Sequence, residues 1–239
     1  MRLMEPDNLL HEKDFDFNNY EDFYENHYFQ PLANDRAINA HRILPRVDWA
    51  VDVASVYSPK SVLDLGCLDG FTGLTVAHHT PSVKRLVGVD LSKDGIDIAN
   101  QRKKLVSAKA DFIQDSIESY LEKTPEKFDM IILFEVIEHV KSPKKLLQLI
   151  DNVKTKNGLV LISTPAFESP TYGKNDVANK CHIRLYTTKA KDYEEMTDVP
   201  DPDTGKTYMR KATSMPKQVG KHRIISIGIY SELINCLYS

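Results

Sequence analysis

At 239 residues with a net charge of −3, the chain fits one large domain and is too short for two well-buried ones joined by a linker. Its apolar runs, such as Met130 to Phe134, are only a handful of residues, and no apolar stretch follows a basic start, so neither a membrane span nor a signal peptide is expected. Cys67, Cys181 and Cys236 stand far apart with no C-x-x-C pair, which argues against a disulfide scaffold or a cysteine zinc site and fits a reducing, cytoplasmic setting.

Residues 1–33 are aromatic and acidic without clean periodicity, and read as an irregular arm or short helices. From Asp35 to about Tyr57 apolar residues recur at helical spacing (Ile38, Ile43, Val47, Ala50, Val51, Ala54), with Pro45 marking a kink or break. Residues 1–57 are thus expected to pack as an N-terminal arm on a single globular unit, 58–239. An alternating series follows: strand Ser61–Leu65, helix from Gly70 to about His78, strand Arg85–Val89, and helix from Lys93 to about Leu105. It continues with strand Ala110–Gln114, short helix Ile117–Leu121, strand Phe128–Phe134, helix Pro143–Val153 with its proline in the first turn, and strand Leu159–Ser163. Strands alternating with helices of this length demand a mostly parallel sheet covered on both faces, a doubly wound α/β fold of Rossmann-like type. Beyond Pro165 a Gly/Asn/Pro-bearing loop runs to Lys180. A helix is expected near Thr187–Met196, then a polar turn from Asp198 to Gly205. Two β-like runs, Thr207–Ala212 and His222–Tyr230, end the fold with an antiparallel C-terminal strand.

Charge is unevenly spread. Glu5, Asp7, Glu12, Asp14, Asp16, Glu21, Asp22 and Glu25 face only Arg2 and Lys13 within residues 1–30, whereas Lys206, Arg210, Lys211, Lys217, Lys221 and Arg223 stand together without an acid. The plain reading is two solvated surfaces of opposite sign, and the sharper one a basic loop that meets an acidic substrate. A net charge of −3 argues against strong general nucleic-acid binding.

The stretch Val62-Leu63-Asp64-Leu65-Gly66-Cys67-Leu68-Asp69-Gly70 runs a strand into a glycine turn that opens a helix, where backbone N–H groups and the helix N-terminus face a ligand. Twenty residues after Gly70 the next strand ends in Val89-Asp90, a carboxylate placed to accept both hydroxyls of a ribose. A nicotinamide-binding G-x-G-x-x-G would require glycine at 66, 68 and 71, where this chain has Gly66, Leu68 and Phe71. The pattern resembles the first motif of class I S-adenosylmethionine-dependent methyltransferases, D/E-x-G-x-G-x-G, with Asp64, Gly66 and Gly70 in register and Leu68 at the middle glycine. The resemblance covers roughly residues 60–165. It implies that Gly66, Cys67 and Gly70 line the amino-acid end of S-adenosylmethionine, that Asp64 orients the loop, and that Asp90 and Leu91 meet the ribose side. Asp115 or Ser116 would meet the adenine amine, and Glu135 would lie beneath the sulfonium.

Phe134-Glu135-Val136-Ile137-Glu138-His139 follows the fourth strand, where open α/β sheets place their sites. If the chain turns helically there, Glu135, Glu138 and His139 share one face. Cys181-His182-Ile183-Arg184-Leu185-Tyr186-Thr187 comes later, and the pairing of E-x-x-E-H with H-x-x-x-[aromatic]-T resembles small-RNA 2′-O-methyltransferases. The ubiquinone-pathway O-methyltransferases share the first half. That likeness implies a divalent cation, Mg²⁺ or Mn²⁺, on Glu135, Glu138, His139 and His182. Two alternatives stand beside it: a free imidazole of His139 or His182 acting as general base near Glu138, or purely structural roles. Arg184 and Tyr186 are candidate substrate contacts. The expected function is methyl transfer to an oxygen of a polar acceptor, whether a small metabolite, a saccharide or an RNA hydroxyl. The alternative is a binding or structural protein that keeps the fold without turnover, supported by Leu68 and the short C-terminus.

Overall fold

The computed structural model describes residues 46–165 throughout and, beyond them, the strands Leu185–Thr187, Tyr193–Met196, Met209–Ser214, Gln218–Val219, His222–Arg223 and Ile225–Ile227. The arm before residue 46, the loop to Lys180, His182, Arg184, the turn Asp198–Gly205 and the side chains of the basic segment 206–223 lie outside the described residues.

Five parallel strands form the centre: β1 (Ser61–Leu65), β2 (Arg85–Asp90), β3 (Lys109–Gln114), β4 (Phe128–Phe134) and β5 (Lys154–Ser163). They lie in the order β5-β4-β1-β2-β3, so the chain winds outward from β1 in one direction and then, from β4, in the other. Such a reversal leaves a crevice beyond the carboxyl ends of the two central strands, here β1 and β4, and that is where an open parallel sheet binds ligands.

Period-two alternation explains why both faces are covered. In β1, Val62 faces one apolar cluster while Leu63 and Leu65 face the other; in β4, Met130, Ile132 and Phe134 face the first, and Ile131 and Leu133 the second. Helix α1 (46–57) contributes Ala50 and Ala54 to the first cluster, α2 (Phe71–His79) contributes Leu74, Val76 and Ala77, and α3 (Lys93–Arg102) contributes Ile96 and Ala99. Across the sheet, α4 (Ile117–Lys123) and α5 (Pro143–Val153) bring Tyr120, Leu121, Leu146, Leu147 and Ile150 to the second. Each fully buried side chain of this kind stabilises the fold by about 1.5–3 kcal/mol relative to its exposed state.

The expected elements from Ser61 to Ser163 are found with shifts of a few residues at their ends. The largest is β5, which starts at Lys154 because that residue pairs with Phe128 before an irregularity in the ladder. Two expectations after Pro165 are corrected. The helix near Thr187–Met196 is replaced by strand: β6 (Leu185–Thr187) and β7 (Tyr193–Met196) flank β8 (Met209–Ser214) in a separate small sheet. Backbone pairing of Tyr193–Met196 with Met209–Ala212 satisfies the groups that a helix would have satisfied internally. The C-terminal strand is also not antiparallel, since Ile225–Ile227 (β11, after the short pair β9, Gln218–Val219, and β10, His222–Arg223) runs parallel to Leu161–Ser163 on the sheet edge. The intervening stretch 164–224 is ample for the crossover that a parallel neighbour needs, so nothing imposes a hairpin return.

Candidate cofactor and transfer site

The loop between β1 and α2 is shaped by three residues with left-handed backbone, Gly66 (φ 74°), Leu68 (φ 49°) and Gly70 (φ 74°). At Gly66 a Cβ would collide with Val136 Cγ2, and at Gly70 it would come within 2.8 Å of Phe112 Cε1. Leu68 therefore adopts the conformation for which glycine is the usual choice, at a cost of about 1–2 kcal/mol. That cost is offset locally, because the Leu68 N–H donates to Asp90 Oδ2 at 2.8 Å. Leu68 thus takes, at the motif's middle position, the left-handed conformation that a glycine there would take.

Asp90 ends β2 below this loop. Its second oxygen, Oδ1, accepts the Ser92 N–H at 2.8 Å, so both oxygens hold backbone donors. Burial raises its pKa, against the opposing effect of these N–H donors. Asp64 sits deeper, 2% exposed, and its Oδ2 accepts the Gly73 N–H at 2.9 Å. Desolvation pushes its pKa up to about 7, the Gly73 donor works against this, and the nearby Asp90 charge adds to it. Asp69 is equally buried, accepts the Phe71 N–H at 3.4 Å and pairs with Arg102. The first turn of α2 is thus met by two carboxylates of the chain itself.

The other candidates fall into two groups. Cys67 turns its thiol inward, within contact of Gly88, and its N–H joins that of Gly66 in donating to the Val89 carbonyl, at 3.2 and 2.8 Å. These two N–H groups extend the sheet instead of facing a ligand, contrary to the expectation for the loop. Burial raises the Cys67 thiol well above its ordinary range. The Leu91 carbonyl accepts from Gln114 Nε2 at 3.2 Å, which ties the end of β2 to the end of β3. Asp115 and Ser116 start α4: the Ser116 hydroxyl accepts the Ser119 N–H at 3.1 Å, and Asp115 accepts from the Ser116 N–H and the Ser119 hydroxyl. The adenine candidates are therefore also the caps of a helix.

At the end of β4, Glu135 has left-handed backbone (φ 55°), an uncommon conformation for a residue with a side chain. Its N–H donates to the Ser163 carbonyl at 2.9 Å, the Ser163 hydroxyl donates to Glu135 Oε1 at 2.8 Å, and Arg46 Nη1 lies 3.9 Å from Oε2. Only Ile137–His139 then turns helically, as a single 3-10 turn. The expected helical face shared by Glu135, Glu138 and His139 is not formed, because Glu135 leaves the strand in a conformation of the opposite hand. Glu138 is 1% exposed and accepts the Thr164 hydroxyl at 2.9 Å, and His139 Nε2 lies 4.0 Å from Glu138 Oε1. Among the described residues no group of three His, Cys, Asp or Glu side chains is placed to hold a metal ion. Tyr186, a candidate substrate contact, is 4% exposed and donates its hydroxyl to the Ile137 carbonyl at 3.4 Å, so it buttresses this turn.

Residues 58–213 match the family described as Methyltransferase domain, well over half of the chain. The chain belongs to the class I S-adenosylmethionine-dependent methyltransferase family. Over 125 residues it is 29% identical to the ubiquinone biosynthesis O-methyltransferase of Aeromonas salmonicida (strain A449), covering 52% of this chain and 51% of that protein. It is 28% identical over the same length to the protein of that name from Yersinia enterocolitica, covering 52% and 50%. The chain spans about half the length of the curated relatives it matches. The plantazolicin methyltransferase BpumL, in complex with a desmethyl analogue and SAH, shares the fold with a TM-score of 0.52 and 18% identity over 74% of this chain and 77% of that one.

Sequence reading alone missed the residues that hold the candidate site in shape. Ser163 and Thr164 end β5 and fix Glu135 and Glu138, while Phe112 on β3 fills the space left by Gly70 and Gly88. A Ser-Thr pair ending a strand beside an E-x-x-E turn was the available signal for the first two.

Proposed function

We propose that this methyltransferase-family chain moves the methyl group of S-adenosylmethionine to an oxygen of a polar acceptor, whether a small metabolite, a saccharide or an RNA hydroxyl. The observation that carries the cofactor reading is the acid-capped start of α2. A helix N-terminus ordinarily attracts a phosphate through its free N–H groups and dipole. Here Asp64 and Asp69 already occupy the Gly73 and Phe71 donors, so a pyrophosphate would meet carboxylates. Arg102 balances Asp69, while Asp90 ends β2 and Glu135 follows β4 at the crevice, a field that suits a cationic sulfonium. The residues present fit that cofactor.

When bound, S-adenosylmethionine supplies an activated methyl group, and the protein's work is to align it with the acceptor and exclude water. In this reading Asp90 accepts the ribose hydroxyls beside the backbone N–H groups it already holds, and the loop from Gly66 to Gly70 cradles the amino-acid end. Glu135, held by Ser163, faces the positive charge. An oxygen acceptor must lose its proton, and His139, oriented beside the buried Glu138, is the described residue suited to receive it. The relatives named as O-methyltransferases support an oxygen acceptor. Of the residues expected to hold a divalent cation, Glu135 accepts from Ser163 and Glu138 from Thr164, and His182 lies outside the described residues. Among the described residues no helix is long and apolar enough to cross a membrane.

Titration calorimetry with S-adenosylmethionine, S-adenosylhomocysteine and NAD tests the reading. Wild-type protein is expected to bind the first two and not NAD. Asp90→Ala should weaken binding by about 2–3 kcal/mol, the loss of two hydrogen bonds to a charged group. Wild-type affinity in that variant removes Asp90 from the site, and preference for NAD removes the whole reading.

A further inference from the structure

A closed circuit of contacts links the Asp90 carboxylate to the first turn of α3. Asp90 Oδ2 accepts the Leu68 N–H and Oδ1 the Ser92 N–H, both at 2.8 Å. Ser92 is buried and is the N-cap of α3: its hydroxyl oxygen accepts the Gly95 N–H at 3.2 Å, and its carbonyl accepts the Ile96 N–H at 3.0 Å. Gly95 returns the circuit to the loop. A Cβ at Gly95 would come within 2.9 Å of the Leu68 carbonyl oxygen and 3.3 Å of Leu68 Cδ1, so helix and loop meet here backbone to backbone. Ile96 and Ala99, buried in the core, anchor the helix that makes these contacts. One helical turn therefore places both donors of Asp90, Ser92 by capping and Leu68 by bracing its carbonyl.

We propose that Ser92 and Gly95 are positioning residues for the cofactor: the first turn of α3 aims the Asp90 carboxylate, and with it sets the preference for a ribose that carries both hydroxyls. This rests on the methyltransferase reading above and adds two residues outside the glycine motif. The physical argument is preorganisation. A carboxylate that is to accept two hydroxyls of one rigid ring must be held to within about 0.5 Å, and a free carboxylate would have to be ordered at the moment of binding. The chain also gives up helix propensity at this point. Glycine within a helix is less favourable than alanine, and the close approach of the Leu68 carbonyl accounts for its presence at position 95. Leu68 itself has left-handed backbone, which persists only where its surroundings impose it, and Asp90 on one side and Gly95 on the other do so.

The full chain is titrated calorimetrically with S-adenosylhomocysteine and with its 2′,3′-dideoxy counterpart, as wild type, Ser92→Ala, Ser92→Thr and Gly95→Ala, with urea unfolding to establish that each variant is folded. The wild type should prefer the hydroxylated ligand about ten-fold or more, as hydrogen bonds to a charged group would give. Ser92→Ala and Gly95→Ala should each reduce that preference about three-fold or more by weakening S-adenosylhomocysteine alone, since the dideoxy ligand makes no use of Asp90. Ser92→Thr, which keeps the capping hydroxyl, should retain most of it. Gly95→Ala separates positioning from helix stability, because alanine is the better helix former and a purely structural role predicts no loss of ribose preference. If Gly95→Ala does not fold, the Ser92 pair decides. A wild-type preference in either folded alanine variant, or equal weakening of both ligands, overturns the proposal and leaves the methyltransferase reading standing. A wild type without the preference overturns it together with the role of Asp90, and a wild type that does not bind S-adenosylhomocysteine strikes the methyltransferase reading itself.

Discussion

Asp64 offers a direct test of the electrostatics of the cofactor loop. Its carboxyl is pushed up to about 7 by burial, with Asp90 adding to the rise and the Gly73 N–H opposing it. An acid whose folded pKa is raised binds more protons folded than unfolded, so its contribution favours folding at low pH and is lost as pH climbs through the folded value. The window runs from the ordinary carboxyl range near 4 to about 7. Between pH 5 and pH 8 this one group should remove about 2–3 kcal/mol of stability, at about 1.4 kcal/mol per unit of pKa difference. Asp64→Asn keeps an oxygen for the Gly73 N–H and has no proton to lose. Urea unfolding of both proteins at several pH values measures the difference, with other titrations common to the two. The wild type should lose ground against Asp64→Asn steadily from pH 5 to pH 8, equivalent to roughly 5–10 °C in Tm for a chain of this size. Parallel stability curves across that range would show that Asp64 is ionised throughout and that its burial is compensated by something other than protonation.

Three further outcomes probe the same architecture. Leu68→Gly should change stability by less than about 1 kcal/mol, since relief of the left-handed strain offsets the added chain entropy, and cofactor binding should persist; a loss well above that by urea titration contradicts the loop geometry. Gly70→Ala meets both a left-handed backbone and the Phe112 ring, so roughly 2–4 kcal/mol of destabilisation is expected in the same assay. Thr164→Val removes the hydroxyl that donates to the buried Glu138 and should cost about 1.5–3 kcal/mol, whereas a neutral result would mean that this hydrogen bond contributes nothing net.

The central fold was legible because its signals are local and mutually consistent. Phe128–Phe134 and Ser61–Leu65 alternate or run apolar over strand length, Pro143 opens a helix, and Gly66 and Gly70 occupy positions where the backbone needs them. The errors fall where long-range pairing decides. Tyr193–Met196 carries helix-tolerant residues and becomes strand through its partner Met209–Ala212. Ile225–Ile227 has no local feature that fixes its direction on the sheet edge. In the site, residue types revealed Asp64, Asp90, Glu135 and Glu138 but not what each is bonded to. The helical spacing applied to Glu135, Glu138 and His139 assumed continuous right-handed backbone, and the left-handed Glu135 breaks that assumption.

That break has a functional logic. A helical turn starting at Glu135 would carry its carboxylate round with Glu138, toward the protein interior. The observed conformation instead splits the two acids between different tasks. Glu138 turns inward to Thr164, beside His139, and Glu135 is held by Ser163 at the mouth near Arg46. Left-handed backbone at a residue with a side chain costs about 1–2 kcal/mol, and persists only where surrounding contacts impose it. Both such sites in this crevice, Leu68 and Glu135, lie on the loops that follow the two central strands, and both are held by hydrogen bonds from a neighbouring strand end, Asp90 and Ser163. The strain is therefore concentrated at the switch point of the sheet, where the proposed cofactor would lie between the two loops.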